Sequence, residues 1–148
     1  MWINHHVPVL HVRQIRKLSN SRSTMLSASD ISAAGSATTK QKVIEAAISL
    51  VEQNKWSLWL EGAGLQRSFK FKTFKAAWSF MDEVASECEA CNHHPEWTNV
   101  FNRTQICWTT HRPRGLSLKD IRMAHFCDEA AQRHGEEVPE PVTPDKVE

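Results

Sequence analysis

The most constraining feature of this chain is a change of apolar period between residues 66 and 88. Phe69 and Phe71 alternate with Ser68, Lys70 and Lys72, the period-2 pattern of a half-buried strand over residues 66–72. From Phe74 onward the period lengthens. Phe74, Ala77, Trp78, Met81, Val84, Ala85 and Cys88 recur at steps of three and four, which predicts an amphipathic helix with these residues on its buried stripe. Thr73, between the two patterns, is placed to cap that helix. Pro95 ends it, because proline cannot continue a helix and disfavours helical backbone at His94.

The same signals order the rest. Val43, Ile44, Ala47, Ile48, Leu50 and Val51 predict a first helix over 40–54, capped by Thr38 or Thr39. A short strand over 57–60 and a turn at Gly62 and Gly64 precede the strand already described. Two more strands are expected over 98–102 and 105–110, then a turn through Arg112, Pro113, Arg114 and Gly115. Ser117 opens a third helix, with Asp120 three residues on as a variant capping box. Leu118, Ile121, Ala124 and Ala131 mark its buried face, and Gly135 stops it. The order is α-β-β-α-β-β-α. No crossover helix joins parallel partners at every step, so the fold class expected is α+β: a four-stranded antiparallel sheet with three helices packed on one face.

Charge divides the chain. Residues 1–40 hold Arg13, Arg16, Lys17, Arg22 and Lys40 against Asp30 alone, whereas residues 41–148 hold 13 basic and 16 acidic side chains. This predicts a basic, Ser/Thr-rich leader over 1–39, a domain over 40–135 and an acidic, proline-containing tail over 136–148. The leader's composition is that of a mitochondrial transit peptide and also of a plain solvated tail, with Met25 as an alternative start. The expected location is intracellular, cytoplasm or mitochondrion, with reduced thiols. No apolar run reaches the length of a membrane span. A net charge of +1 argues against binding nucleic acid by charge.

Candidate chemistry centres on histidine. His93 and His94 follow the second helix and His111 ends the fourth strand; loops at element ends are where catalytic groups collect. Imidazole gives and takes protons near neutral pH, so three converging rings suit removal of a hydroxyl and of a ring N–H proton. Cys88 and Cys91 beside the histidines raise a zinc reading, but no second pair stands at zinc-finger spacing, so no metal is expected. Cys88 and Cys127 read as small core residues, and Trp78 as core packing. Arg67, Lys70, Lys72 and Lys75 read as the solvated face of their strand rather than a nucleic-acid surface.

Glu89, then His93, His94 and Pro95, then Phe101, His111 and Asp120, stand at gaps that resemble the signature of the pterin-4a-carbinolamine dehydratase family. The surrounding residues agree: Asn92 before the histidines, Glu96 and Trp97 after them, Asn99 to Asn102, and Gly115, Leu116 and Ser117. The likeness covers about residues 40–134. It implies dehydration of 4a-hydroxytetrahydrobiopterin to quinonoid dihydrobiopterin, which recycles tetrahydrobiopterin, with neither metal nor organic cofactor. It implies His93, His94 and His111 as the catalytic residues. His94 or His111 is expected to face the hydroxyl and His93 the pterin ring edge. Glu89, one turn before His93, is expected to orient an imidazole, and Asp120 to orient His111 or to cap its helix. Pro95, Trp56 and Trp97 are candidate pocket residues, the tryptophans equally candidates for ordinary packing. The family further implies a homodimer or homotetramer. Some animal members also serve as dimerisation cofactors of a homeodomain transcription factor, so a non-catalytic assembly cofactor with a protein partner is the alternative. Lys119 stands where animal members carry Arg.

Overall fold

The computed structural model describes residues 26–138. A single 3-10 turn at Ala28–Asp30 precedes helix α1, Ala37–Glu52. Strands β1, Ser57–Trp59, and β2, Gly64–Lys70, lead to helix α2, Phe74–Cys91. Strands β3, Glu96–Val100, and β4, Arg103–His111, follow; then come a two-residue strand β5, Arg114–Gly115, and helix α3, Leu118–Arg133. The main strand order is β1-β2-β4-β3, and every neighbour is antiparallel. The fold is therefore α+β with three helices, in the expected element order. The turn after β4 adds the short β5, which pairs back onto β4.

All three helices cover one face of the sheet. Leu65, Arg67 and Phe69 of β2 and Thr104, Ile106 and Trp108 of β4 are buried on that side. Ser68 and Gln105, in register with each other on the opposite side, are exposed. The α2 residues Ala77, Phe80, Val84 and Cys88 fill the space above, and the Phe80 ring lies 4.9 Å from Phe69 and 5.0 Å from Phe71. Burying each such side chain contributes about 1.5–3 kcal/mol.

Several local expectations change. Helix α1 starts at Ala37 rather than Lys40: Ser36 is the N-cap, its Oγ accepting from the Thr39 amide, which leaves Thr38 and Thr39 in the first turn. Trp78 is 57% exposed, not core. The inward row of α2 runs through 77, 80, 84 and 88, and one residue beyond Ala77 turns the side chain about 100° away. Leu118 is also exposed. Arg67 is buried rather than solvated, because it shares the phase of Phe69 on β2.

The domain edges reach further than composition suggested. Residues 31–34, read as leader, pack on the domain. Ile31 and Ala34 are buried, and backbone bonds join Ser32 to Gly62 and both Ser32 and Ala34 to Leu116. Gly62 sits at φ +83, and a Cβ there would lie 1.9 Å from the Asp30 carbonyl oxygen, so only glycine allows this approach. At the other end Glu136, in the expected tail, places its carboxylate in a buried cluster: Arg67 Nη2 donates to both its oxygens, at 2.6 and 2.7 Å. Arg67 Nη1 bonds Asp128 Oδ1, which also accepts from Trp56 Nε1 at 2.9 Å. The leader before residue 26 and the tail after residue 138 lie outside the described residues. Among the described residues no helix is long and apolar enough to cross a membrane.

Candidate active site

The site forms where α2 ends. Asn92 caps α2 in the left-handed conformation, φ 48°, and its amide and that of His93 close onto the carbonyls of the last turn. Asparagine tolerates this backbone better than most residues. The reversal throws His93 back over the sheet. There the His93 ring stacks on Trp108 of β4, with ring centres 5.4 Å apart and planes 20° from parallel. Lys119 Nζ, from the first turn of α3, donates to the carbonyls of Cys91 and Asn92 at 3.2 and 3.5 Å, holding the reversal from outside.

His93 Nε2 lies 2.6 Å from Oδ1 of Asp120, a carboxylate with no solvent exposure. The other oxygen, Oδ2, is surrounded by donors: the Ser117 amide at 2.8 Å, Thr110 Oγ1 at 2.8 Å and Ser117 Oγ at 3.0 Å. Asp120 thus caps α3, as its spacing from Ser117 predicts, and reaches His93 rather than His111. A buried charge is tolerated only when so surrounded. An open cleft of about 440 Å³ lies beside this pair, lined by Thr39, Asn92, Thr110, Arg112 and Lys119 among others.

His94 is exposed at the start of the segment leading into β3, and Pro95 after it is half-buried. His111 is exposed at the end of β4; strand alternation turns it to the face opposite Thr110. No hydrogen bond joins His94 or His111 to the His93–Asp120 pair among the described residues. Glu89 is exposed in the last turn of α2 and makes no bond to His93. Trp56, 2% exposed and bonded to Asp128, belongs to the core, edge-on to Phe69. Trp97 is half-buried on β3, in register with Ile106.

All four cysteines are free thiols. Cys91 Sγ faces Met123 Sδ at 3.5 Å, and burial pushes the Cys88 thiol up to about 11. Among the described residues no three His, Cys, Asp or Glu side chains are grouped to hold a metal ion.

Sequence reasoning missed Thr110 and the Ser117 hydroxyl as parts of this site; Trp108, which the sequence offers both for ring stacking and for core packing, stacks on His93 from the core. One signal was available: Thr110 and Trp108 share a phase on β4, so whatever stacks on one lies within reach of the other.

The family model for pterin 4 alpha carbinolamine dehydratase matches residues 37–130. A Bordetella avium protein provisionally named pterin-4-alpha-carbinolamine dehydratase is 40% identical over 92 residues, 62% of this chain and 85% of that one. A Novosphingobium aromaticivorans protein of the same provisional name is 45% identical over 75 residues, 51% of this chain and 78% of that one. The crystal structure of a transcriptional coactivator/pterin dehydratase from Brucella melitensis superposes with a TM-score of 0.56 at 35% identity, over 63% of this chain and 96% of that one. The family model covers more than half of the chain, and the relatives are 35–45% identical: the chain belongs to the pterin 4 alpha carbinolamine dehydratase family.

Proposed function

We propose that the chain is a hydro-lyase that dehydrates 4a-hydroxytetrahydrobiopterin to quinonoid dihydrobiopterin and so recycles tetrahydrobiopterin, using histidine acid–base catalysis without metal or organic cofactor. The observation that carries this reading is the His93–Asp120 pair at the cleft, an imidazole given a fixed orientation by a buried carboxylate, in a chain of this family. The substrate must lose hydroxide from C4a and a proton from N5 as the C4a=N5 double bond forms. His93 takes the N5 proton. His94 or His111, each exposed at an element end, gives the departing hydroxyl the one proton it needs to leave as water. Each such transfer contributes about 10²–10⁴-fold when well placed. Arg112 and Lys119 bring two positive side chains to the cleft lining.

A second role in association with a protein partner is favoured by one observation. Phe74 and Trp78 stand 47% and 57% exposed on α2 with ring centres 6.0 Å apart, an apolar pair unusual on a solvated helix face. We assign this face to self-association as a homodimer or homotetramer, or to a protein partner.

The test is a dehydratase assay on the whole chain. Decay of chemically generated 4a-hydroxytetrahydropterin is followed by absorbance, beside His93→Ala, His94→Ala and His111→Ala. The wild type is expected to exceed buffer by orders of magnitude, with each variant losing about 10²-fold or more. A folded wild type no faster than buffer would leave the partner-binding role as the function.

A further inference from the structure

Thr110 Oγ1, Ser117 Oγ and Asp120 Oδ2 form a closed triangle. Thr110–Ser117 is 2.7 Å, Thr110–Asp120 is 2.8 Å and Ser117–Asp120 is 3.0 Å. A carboxylate brings no proton to these three contacts, and the two hydroxyls bring one each. The Ser117 amide, which can only donate, points at the same Oδ2 from 2.8 Å, so Oδ2 is an acceptor. One consistent arrangement uses the two shortest contacts: Ser117 Oγ–H donates to Thr110 Oγ1, and Thr110 Oγ1–H donates to Asp120 Oδ2. Such chained hydroxyls polarise one another. With Oδ2 filled, Oδ1 is left for His93, whose Nε2–H donates across 2.6 Å, a charge-assisted length.

We propose that Thr110, polarised by Ser117, is a positioning residue: it holds the Asp120 carboxylate by Oδ2 with Oδ1 turned to His93 and so locks His93 in its Nε2–H form, leaving Nδ1 as the nitrogen that exchanges protons with the substrate. The proton acceptor for N5 is then His93 Nδ1, and this last step rests on the dehydratase reading above. Trp108 supports the lock from a second direction, since its stacked ring fixes the imidazole plane while Asp120 fixes rotation within it. Neither hydroxyl need touch the pterin for this role.

Long-range ¹H–¹⁵N correlation on the ¹⁵N-labelled whole chain at neutral pH reads the lock directly. The wild type is expected to show His93 with a proton on Nε2 and a bare Nδ1. Thr110→Val is expected to average the two ring nitrogens and to lower kcat about tenfold with KM little changed, as outer positioning partners do. Thr110→Ser, which restores the hydroxyl, is expected to restore both. Ser117→Ala keeps the amide donor and is expected to lose less than Thr110→Val. A His93 protonated on Nδ1 in the wild type would overturn the proposal, whatever the variants do. So would a Thr110→Val chain that keeps both the ring signature and kcat and loses only thermal stability. A chain with the expected ring signatures but no turnover would uphold the lock and remove the dehydratase reading instead.

Discussion

Replacing Arg67 by methionine tests whether the buried ion cluster closes the domain. The Arg67, Asp128 and Glu136 side chains are 6%, 12% and 8% exposed, so none is solvated enough to lose its partner cheaply. Arg67→Met keeps most of the stem that packs near Phe69 and removes every donor to Glu136. Asp128 keeps only Trp56 Nε1. Breaking a buried pair by deleting one partner costs about 3–5 kcal/mol, a large share of the roughly 5–15 kcal/mol a domain holds. Arg122→Met is the contrast: that side chain is 66% exposed in its pair with Glu87, and such a pair contributes about 0–1 kcal/mol.

The loss also has a sign in pH. Burial, the largest influence, already pushes the Glu136 carboxyl above its ordinary 4.5, against the pull of Arg67. A carboxylate raised on folding costs stability once charged, so the cost is absent below 4.5 and appears as pH climbs through the folded value. Removing Arg67 raises that value further. The deficit of Arg67→Met is therefore expected to be full at about pH 7 and smaller at about pH 5. Urea unfolding followed by tryptophan fluorescence and far-UV circular dichroism measures it, with an unchanged slope showing that the same surface is exposed. A deficit under about 1 kcal/mol at neutral pH, or one that grows on acidification, would refute the reasoning.

Two further outcomes follow from burial. Phe80→Ala, which empties the space between Phe69 and Phe71, is expected to cost about 3–5 kcal/mol in the same unfolding measurement, whereas Trp78→Ser stays within about 0.5 kcal/mol for the isolated chain. Native maleimide labelling read by mass spectrometry is expected to place the first adduct on half-buried Cys91. Cys88 and Cys127, fully packed and with thiols pushed up by burial, are expected to react only on unfolding. Equal rates at Cys127 and Cys91 would contradict the packing.

The α2 and α3 caps were legible in the residues themselves, because capping is local: Thr73 bonds the Ala76 amide three residues on, and the Asp120 carboxylate accepts from Ser117 three residues back. The period-2 alternation through Phe69 likewise fixed which side of β2 faces the helices. What local pattern could not supply is the partner across space. Arg67 carries a charge, which in the sequence points to solvent, yet its phase on β2 buries it, and its neutralising carboxylates lie 61 and 69 residues away. Helix α2 carries apolar side chains around more than half its circumference, so period alone could not choose between Ala77 and Trp78. Packing against the sheet and α3 buries Ala77, Phe80, Val84 and Cys88.

The site divides the same way. Sequence spacing brought His93, His94, His111 and Asp120 to notice, since a signature is a one-dimensional object. It could not say which imidazole Asp120 serves. That was decided by the left-handed turn at Asn92 and by the docking of α3 against β4, which place His93, and not His111, against the carboxylate 27 residues later. The sequence by itself determined the order of the main elements, the α2 and α3 caps and the residue types gathered near them, because those depend on neighbours within a turn. Only the tertiary structure decided which charges are buried together and which ring is held, because those depend on contacts that chain proximity does not encode.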